Sequence, residues 1–415
     1  MAAFSIALSG LTSSSADLDV TANNISNADT IGFKESRAEF ADVFASGAAD
    51  LNTSVIGEGV RLASTAQQFT QGDVATSSSN LDLAISGDGF FTLKDANGTV
   101  YSRNGQFTQD SSGNVVSITG QALQVYPPLT TGGFNTGTLT DLNLQPAQSA
   151  PLATTGGTVI LNLPAGATPP ADAATFDPTD PASYNQSTST TVYDSLGRAD
   201  PATLYFTATA TPNVWNVNMS VNGTTANTTP ATTTLTFNQQ GGFTTTNAAT
   251  NATNGNVTFN YQPPGAAAMA MNFNFSSTTQ YGAAFGVTAI TQNGYATGQL
   301  STVAIDTAGI VSAVYTNGRS TQLGQLAMAN FPNPQGLKQL GNTNYSETFS
   351  SGDVVQGTAS SASFGSIQSG ALESSNVDLT TELVNMITAQ RAFDSNAQVI
   401  TTANQESQTV IRITQ

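Results

Sequence analysis

With no cysteine and no histidine among 415 residues, the chain has no thiolate or imidazole to serve as nucleophile, general base or ligand to zinc, copper or haem iron. Serine, lysine and carboxylate chemistry remain. A lysine-activated serine needs Ser-x-x-Lys, and none precedes Lys34, Lys94 or Lys338; Gly-x-Ser-x-Gly is also missing. Two carboxylates for glycoside hydrolysis need only converge in space, so the sequence leaves that reaction open. Most Asp and Glu residues, however, stand in turn-forming stretches, where they cap and solvate. Asp88 in Gly87-Asp88-Gly89 and Asp95 before Asn97-Gly98 suggest calcium, but the spaced acidic ladder with a terminal Glu is missing. Gly57-Glu58-Gly59 lacks the third glycine of a dinucleotide loop, and no Walker-type Gly-Lys-Ser/Thr occurs. Trp215 and the scattered Tyr and Phe read as sheet core. No catalytic, cofactor-binding or metal-binding set emerges, so the chain reads as non-enzymatic; a carbohydrate-active β protein with helical ends is the rival from another class.

Composition narrows the partners. Ten Lys+Arg against 27 Asp+Glu, with 9% charged residues overall, make a mostly uncharged polar surface with an acidic excess. Nucleic acid and anionic membranes are poor partners for it. There is no apolar run long enough to insert in a membrane, and the first stretch lacks the basic start and continuous apolar core of a secretory signal, Lys34 being the first lysine. A cytoplasmic protein is the plain expectation, yet a Thr-, Asn- and Gly-rich chain without cysteine also suits an exposed surface structure.

The elements that must position these residues are mapped by proline. All 16 prolines lie between Pro127 and Pro334, so long uninterrupted helices are permitted only at the ends. Phe4, Leu8, Leu11, Ser15, Leu18, Ala22 and Ile25 follow the spacing of a coiled-coil seam, which should end within Asn23 to Gly32. Leu379, Leu383, Met386, Gln390, Phe393, Ala397 and Ile400 repeat the pattern, with Asp378 as N-cap and Glu382 suiting the helix start; after Ile400 the pattern weakens and fraying is expected. Between the ends the period becomes two, beginning with Leu81, Leu83 and Ile85, and Gly-containing turns separate short runs rich in Val, Thr, Phe and Tyr. The fold class is therefore α+β: paired terminal helices with nested all-β domains. The Pro-rich stretches set off an inserted outer β domain over 146–284; the proline-free helical ends are assigned residues 1–70 and 366–415, and a discontinuous inner β domain the remaining 71–145 and 285–365. The two helices can bury their stripes on each other, and apolar surface left over marks an association site.

Ser9-Gly10-Leu11, the run from Leu18 through Asn23-Asn24 to Asn27, and Gly32-Phe33-Lys34 resemble the amino-terminal signature of the flagellar rod and hook axial family. Gly370 to Leu379, containing Asn376 and Asp378, and then Glu382 to Ile387 with Ala389-Gln390-Arg391, resemble the same family's other end. The long insertion, with Ser102 to Phe107, Thr191 to Gly197, Asn293-Gly294-Tyr295 and Leu323-Gly324-Gln325, looks like the hook branch; a distal-rod or hook-filament junction subunit is the alternative within the family. The resemblance implies a structural subunit that polymerises into a flexible curved tube coupling rod to filament. Its implied partners are copies of itself, the rod, hook-cap and hook-filament junction proteins, and the type III export apparatus. It implies an extracellular location in the flagellum, reached without a cleaved signal peptide. Phe4 followed by Leu8 resembles the family's export element. The polar Gln405-Glu406-Ser407-Gln408 departs from the family's Leu-rich tail.

Overall fold

The proline-free ends form two long helices, α1 (Ala2–Ser26) and α2 (Leu379–Ile413). α1 stops where Asn27 turns its side-chain amide back onto the Asn23 carbonyl at 2.9 Å. Asp378 caps α2, accepting from the Thr380 and Thr381 backbone N–H groups at 2.8 and 3.2 Å. α2 continues past Ile400 to Ile413, through the stretch where the apolar pattern weakens. The hydroxyls of Thr401, Thr402 and Thr409 satisfy themselves on carbonyls one turn back, so these residues stay within the helix instead of ending it.

The computed structural model describes residues 2–43, 57–144, 148–229, 233–246, 255–361 and 363–413. The chain divides into two compact units, Met1–Gln145 with Thr302–Val314 and Ser320–Gln415, and Pro146–Ser301 with Tyr315–Arg319. The expected boundary at 145/146 lies outside the described residues. The return lies further along than the expected 284, because the strand Gly286–Gln292 pairs with Gly156–Pro164 and so belongs to the second unit.

In the first unit α1 packs on α2 and on a two-stranded ribbon, β1 (Ser36–Val43) with β2 (Gly59–Gln67). Next come β3 (Val74–Thr76), paired with Ala371–Glu373, and β4 (Leu83–Ser86), paired with Ser366–Ser369. Both ends of the chain are thus tied to the β structure strand by strand. The main sheet runs through Ile310–Tyr315, Ser320–Asn330, Ala122–Tyr126, Phe90–Asp95, Gly98–Ser102, Asn344–Ser346 and Lys338–Gly341. It buries both faces. Phe91, Leu93, Val100, Leu123 and Met328 join Ile85 and Ile367 in one core, while their neighbours Phe90, Tyr101 and Ala329 join Phe331 and Tyr345 in another.

The second unit is a β-sandwich. One sheet holds Gly156–Pro164, Asn256–Tyr261 and Met269–Asn274; the other holds Gln186–Tyr193, Ala199–Ala208, Val214–Val221 and Thr233–Phe237. Alternate residues of both, among them Leu161, Phe259, Phe273, Leu204, Phe206 and Trp215, fill a single core. In both units some hairpins close alike: Asp110, Asp194, Asn238 and Asp306 each accept the backbone N–H groups two and four residues ahead. A glycine at positive φ follows at the third position, where a side chain would be strained.

Candidate functional site

Between the helices and the main sheet lies a junction built from both ends of the chain. Lys34 donates from Nζ to Glu373 Oε1 and to the Thr70 carbonyl, each at 2.7 Å, and both ionised side chains are fully buried. Arg103, almost as buried, donates from Nη1 to Glu373 Oε2 at 3.2 Å and from Nη2 to the Gly87 carbonyl at 2.8 Å, with its guanidinium 5.5 Å over the Phe90 ring. Gly72 adds a backbone N–H to Glu373 Oε1 at 3.0 Å. Burial pushes the Lys34 ammonium below its usual value, and Glu373 pulls it partly back. Burial also raises the nearby Tyr345 phenol, so that it remains protonated.

Asparagines complete the junction. Asn24 exchanges two hydrogen bonds with the Ser36 backbone, at 2.7 and 2.9 Å, and reaches Glu382 Oε2 at 3.3 Å. Asn376 accepts from the Glu35 backbone N–H at 2.7 Å and donates to the Gln68 carbonyl at 2.8 Å. Asn27 bridges Asn23 and Thr30, and the Gly32 N–H donates to the Glu373 carbonyl at 2.8 Å. Phe33 is half-buried beside an open cleft of about 540 Å³, which Asn27, Asn104 and Tyr345 also line. Asp29 is the sole carboxylate among the cleft's lining residues, so the pair that glycoside hydrolysis needs is not assembled there.

The helices meet otherwise than expected. A Cβ on Gly10 would lie 2.7 Å from Asn396 Oδ1, and Asn24 bonds Glu382. Gly10 and Asn24 are two heptads apart on α1, as are Glu382 and Asn396 on α2, so the helices run antiparallel in a register that sets Asp17 opposite Ala389. Burial raises the Asp17 carboxyl. This seam consists of small and polar residues, whose missing bulk lets the backbones approach. The apolar stripes are only partly covered: Leu11, Leu18, Ile25, Met386, Phe393, Ala397 and Ile400 are half-buried, and Ala22 is exposed. Phe4, Leu8, Leu379 and Leu383 are exposed by 41, 46, 46 and 47%, and Val384, Ile387 and Val399 join them.

Sequence reading missed Glu373, Arg103 and the Gly10–Asn396 seam. The first two lie inside the motif segments of a chain in which charged residues are scarce, but no local feature of the sequence marks them as buried.

Four family models match in chain order: the flagella basal body rod protein over residues 4–34, the flagellar hook protein FlgE/F/G D1 domain over 84–168, the flagellar basal body protein FlaE D2 domain over 162–295, and the flagellar basal body rod FlgEFG protein C-terminal model over 368–413. Flagellar hook protein FlgE of Salmonella typhimurium is 40% identical over 420 residues, spanning 99% of this chain and 99% of its own. The Escherichia coli protein of the same name is 39% identical over 422 residues, spanning 99% of this chain and 100% of its own. The crystal structure of Helicobacter pylori flagellar hook protein FlgE2 shares the fold, with a TM-score of 0.52 at 13% identity over 72% of this chain and 100% of that one. These full-length matches favour the hook over the distal-rod, junction and carbohydrate-active alternatives. The models for both ends and for the β units match in a single order, relatives match over the full length, and the chain belongs to the flagellar hook protein family.

Proposed function

We propose that this chain builds the hook of the bacterial flagellum by polymerising into a flexible curved tube, with the apolar stripes of α1 and α2 joining neighbouring copies. The observation that carries this reading is the division of labour on each helix. Their mutual seam uses Gly10, Asn24, Glu382 and Asn396, which leaves Phe4, Leu8, Leu379, Leu383, Val384 and Ile387 exposed. Fully burying a Leu or Phe side chain is worth about 1.5–3 kcal/mol, and these are already half covered, so each adds about half of that on association. Phe4 and Leu8 serve the type III export apparatus first, because export precedes folding of the helix. In this reading the chain has no catalytic role, lies outside the cell, reaches its place without signal cleavage, and meets rod, hook-cap and hook-filament junction proteins at the tube's ends.

Electron microscopy of concentrated purified protein tests the stripes. Wild-type chain should form curved tubes, whereas Leu8→Asp and Leu383→Asp should remain monomeric with unchanged melting of the β units. Normal tubes from both variants would remove the stripes from the assembly contact.

A further inference from the structure

The junction has an imbalance that its role as a simple tether does not require. Two cations, Lys34 and Arg103, share one carboxylate, and all three side chains are at most 4% exposed. They come from three different parts of the chain: Lys34 follows α1, Glu373 precedes α2, and Arg103 stands at the end of the strand Gly98–Ser102 in the β core. Arg103 Nε finds no partner among the described residues, and the other acceptors on the two cations, the Gly87 and Thr70 carbonyls, are neutral and leave the surplus charge in place. The Glu373 backbone carbonyl also holds the Gly32 N–H at 2.8 Å, so the residue that neutralises the amino-terminal segment also pins its backbone.

We propose that Glu373 is a positioning residue that makes docking of the amino-terminal segment conditional on the carboxyl-terminal segment. Without its carboxylate, Lys34 would enter the site as a second buried cation beside Arg103, with nothing to pair it. With it, one carboxylate serves both. The dependence is asymmetric. Removing Lys34 leaves a balanced Glu373–Arg103 pair, so the carboxyl-terminal segment keeps its place, whereas removing Glu373 sets two buried cations against each other. Breaking a buried pair by removing one partner is far more damaging than replacing the pair.

The test is amide hydrogen exchange on full-length monomer, free of tubes and so independent of the assembly stripes. The reporters are Lys34 to Ser36 for the amino-terminal segment and Val74 to Thr76 for the carboxyl-terminal one, with Leu93 and Leu123 as core references. Glu373→Gln should speed exchange at both reporters by about 100-fold with the core unchanged, and Lys34→Met should move them by less than about 10-fold. The deciding variant is Lys34→Met with Glu373→Gln: losing the unpaired cation should slow exchange relative to Glu373→Gln alone. Should Glu373→Gln fail to fold, recovery of folding in the double variant is the same rescue. A double variant as loose as Glu373→Gln, looser, or equally unfolded overturns the proposal, because Lys34 would then not be the group that needs the carboxylate.

Discussion

Gly32 sits at φ +69°, and a Cβ there would lie 2.6 Å from the Asn104 backbone nitrogen, so both conformation and space require glycine. Gly32→Ala should destabilise the first unit by at least about 2 kcal/mol in urea unfolding, combining backbone strain with displacement of main chain; equal stability would contradict the geometry. Asp378 supplies a pH-dependent contribution. Its carboxyl is held below the ordinary value first by the Thr381 and then by the Thr380 backbone N–H. A native value below the unfolded one means that the cap's contribution is complete above the unfolded value, 3.8, and disappears as pH falls through the native value. NMR shifts of the first turn of α2 should therefore lose helicity in acid, and Asp378→Asn, which keeps an acceptor without a titrating proton, should flatten that step. An unchanged acid transition in the variant would assign it to another group.

At the scale of elements, the helices leave Phe4, Leu8, Leu379 and Leu383 exposed. Backbone ordering costs about 1–2 kcal/mol per residue, and apolar stripes that are covered only in part offset only part of it. Amide exchange over Leu8 to Ile25 and Leu383 to Ile400 should be fast in dilute monomer and slow in assembled tubes; slow exchange in the monomer would mean that the pair is stable alone. Both helices were legible because their apolar spacing is regular and proline-free, and Asp378 because a capping residue stands directly before the periodic run. The face by which they pair was not legible. Close-packed helix contacts are made by small residues, which leave no hydrophobic signal, so Gly10 reads as an interruption when it is the point of approach. Glu373 lies within the Gly370 to Leu379 motif without standing out, because nothing local in a sequence tells a buried carboxylate from a solvated one. The sandwich core was visible through alternation, as at Trp215, whereas the strand Gly286–Gln292 reads equally well as belonging to either unit until its partner is known.

At the scale of the whole molecule, the second unit has the form of an insertion. Its entry and exit are antiparallel neighbours, Gln148 opposite Gln299 and Ser149 opposite Gly298, with Leu152 bridging Tyr295 just beyond. Adjacent ends can be rejoined by a short turn without disturbing the parent unit. Replacing residues 150–297 with a short Gly-rich turn should leave the first unit folded and still polymerising, with altered tube curvature or stiffness under the electron microscope. Loss of polymerisation with the first unit intact would place a primary contact on the insertion.

The contacts between the two ends are nested: Leu83 with Ser369, Ala75 with Leu372, Lys34 with Glu373, Asn24 with Glu382 and Gly10 with Asn396. Loop closure becomes costlier only as the logarithm of length, so the innermost pair bears the large entropy loss, and each outer pair then closes only the short lengths between itself and the last. Closure proceeds like a zip, from the strands outward to the helix tips. The inner tooth of that zip lies close to the carboxyl end. A growing polypeptide is made amino end first, so its leading helix spends nearly the whole of synthesis with no matching half to meet.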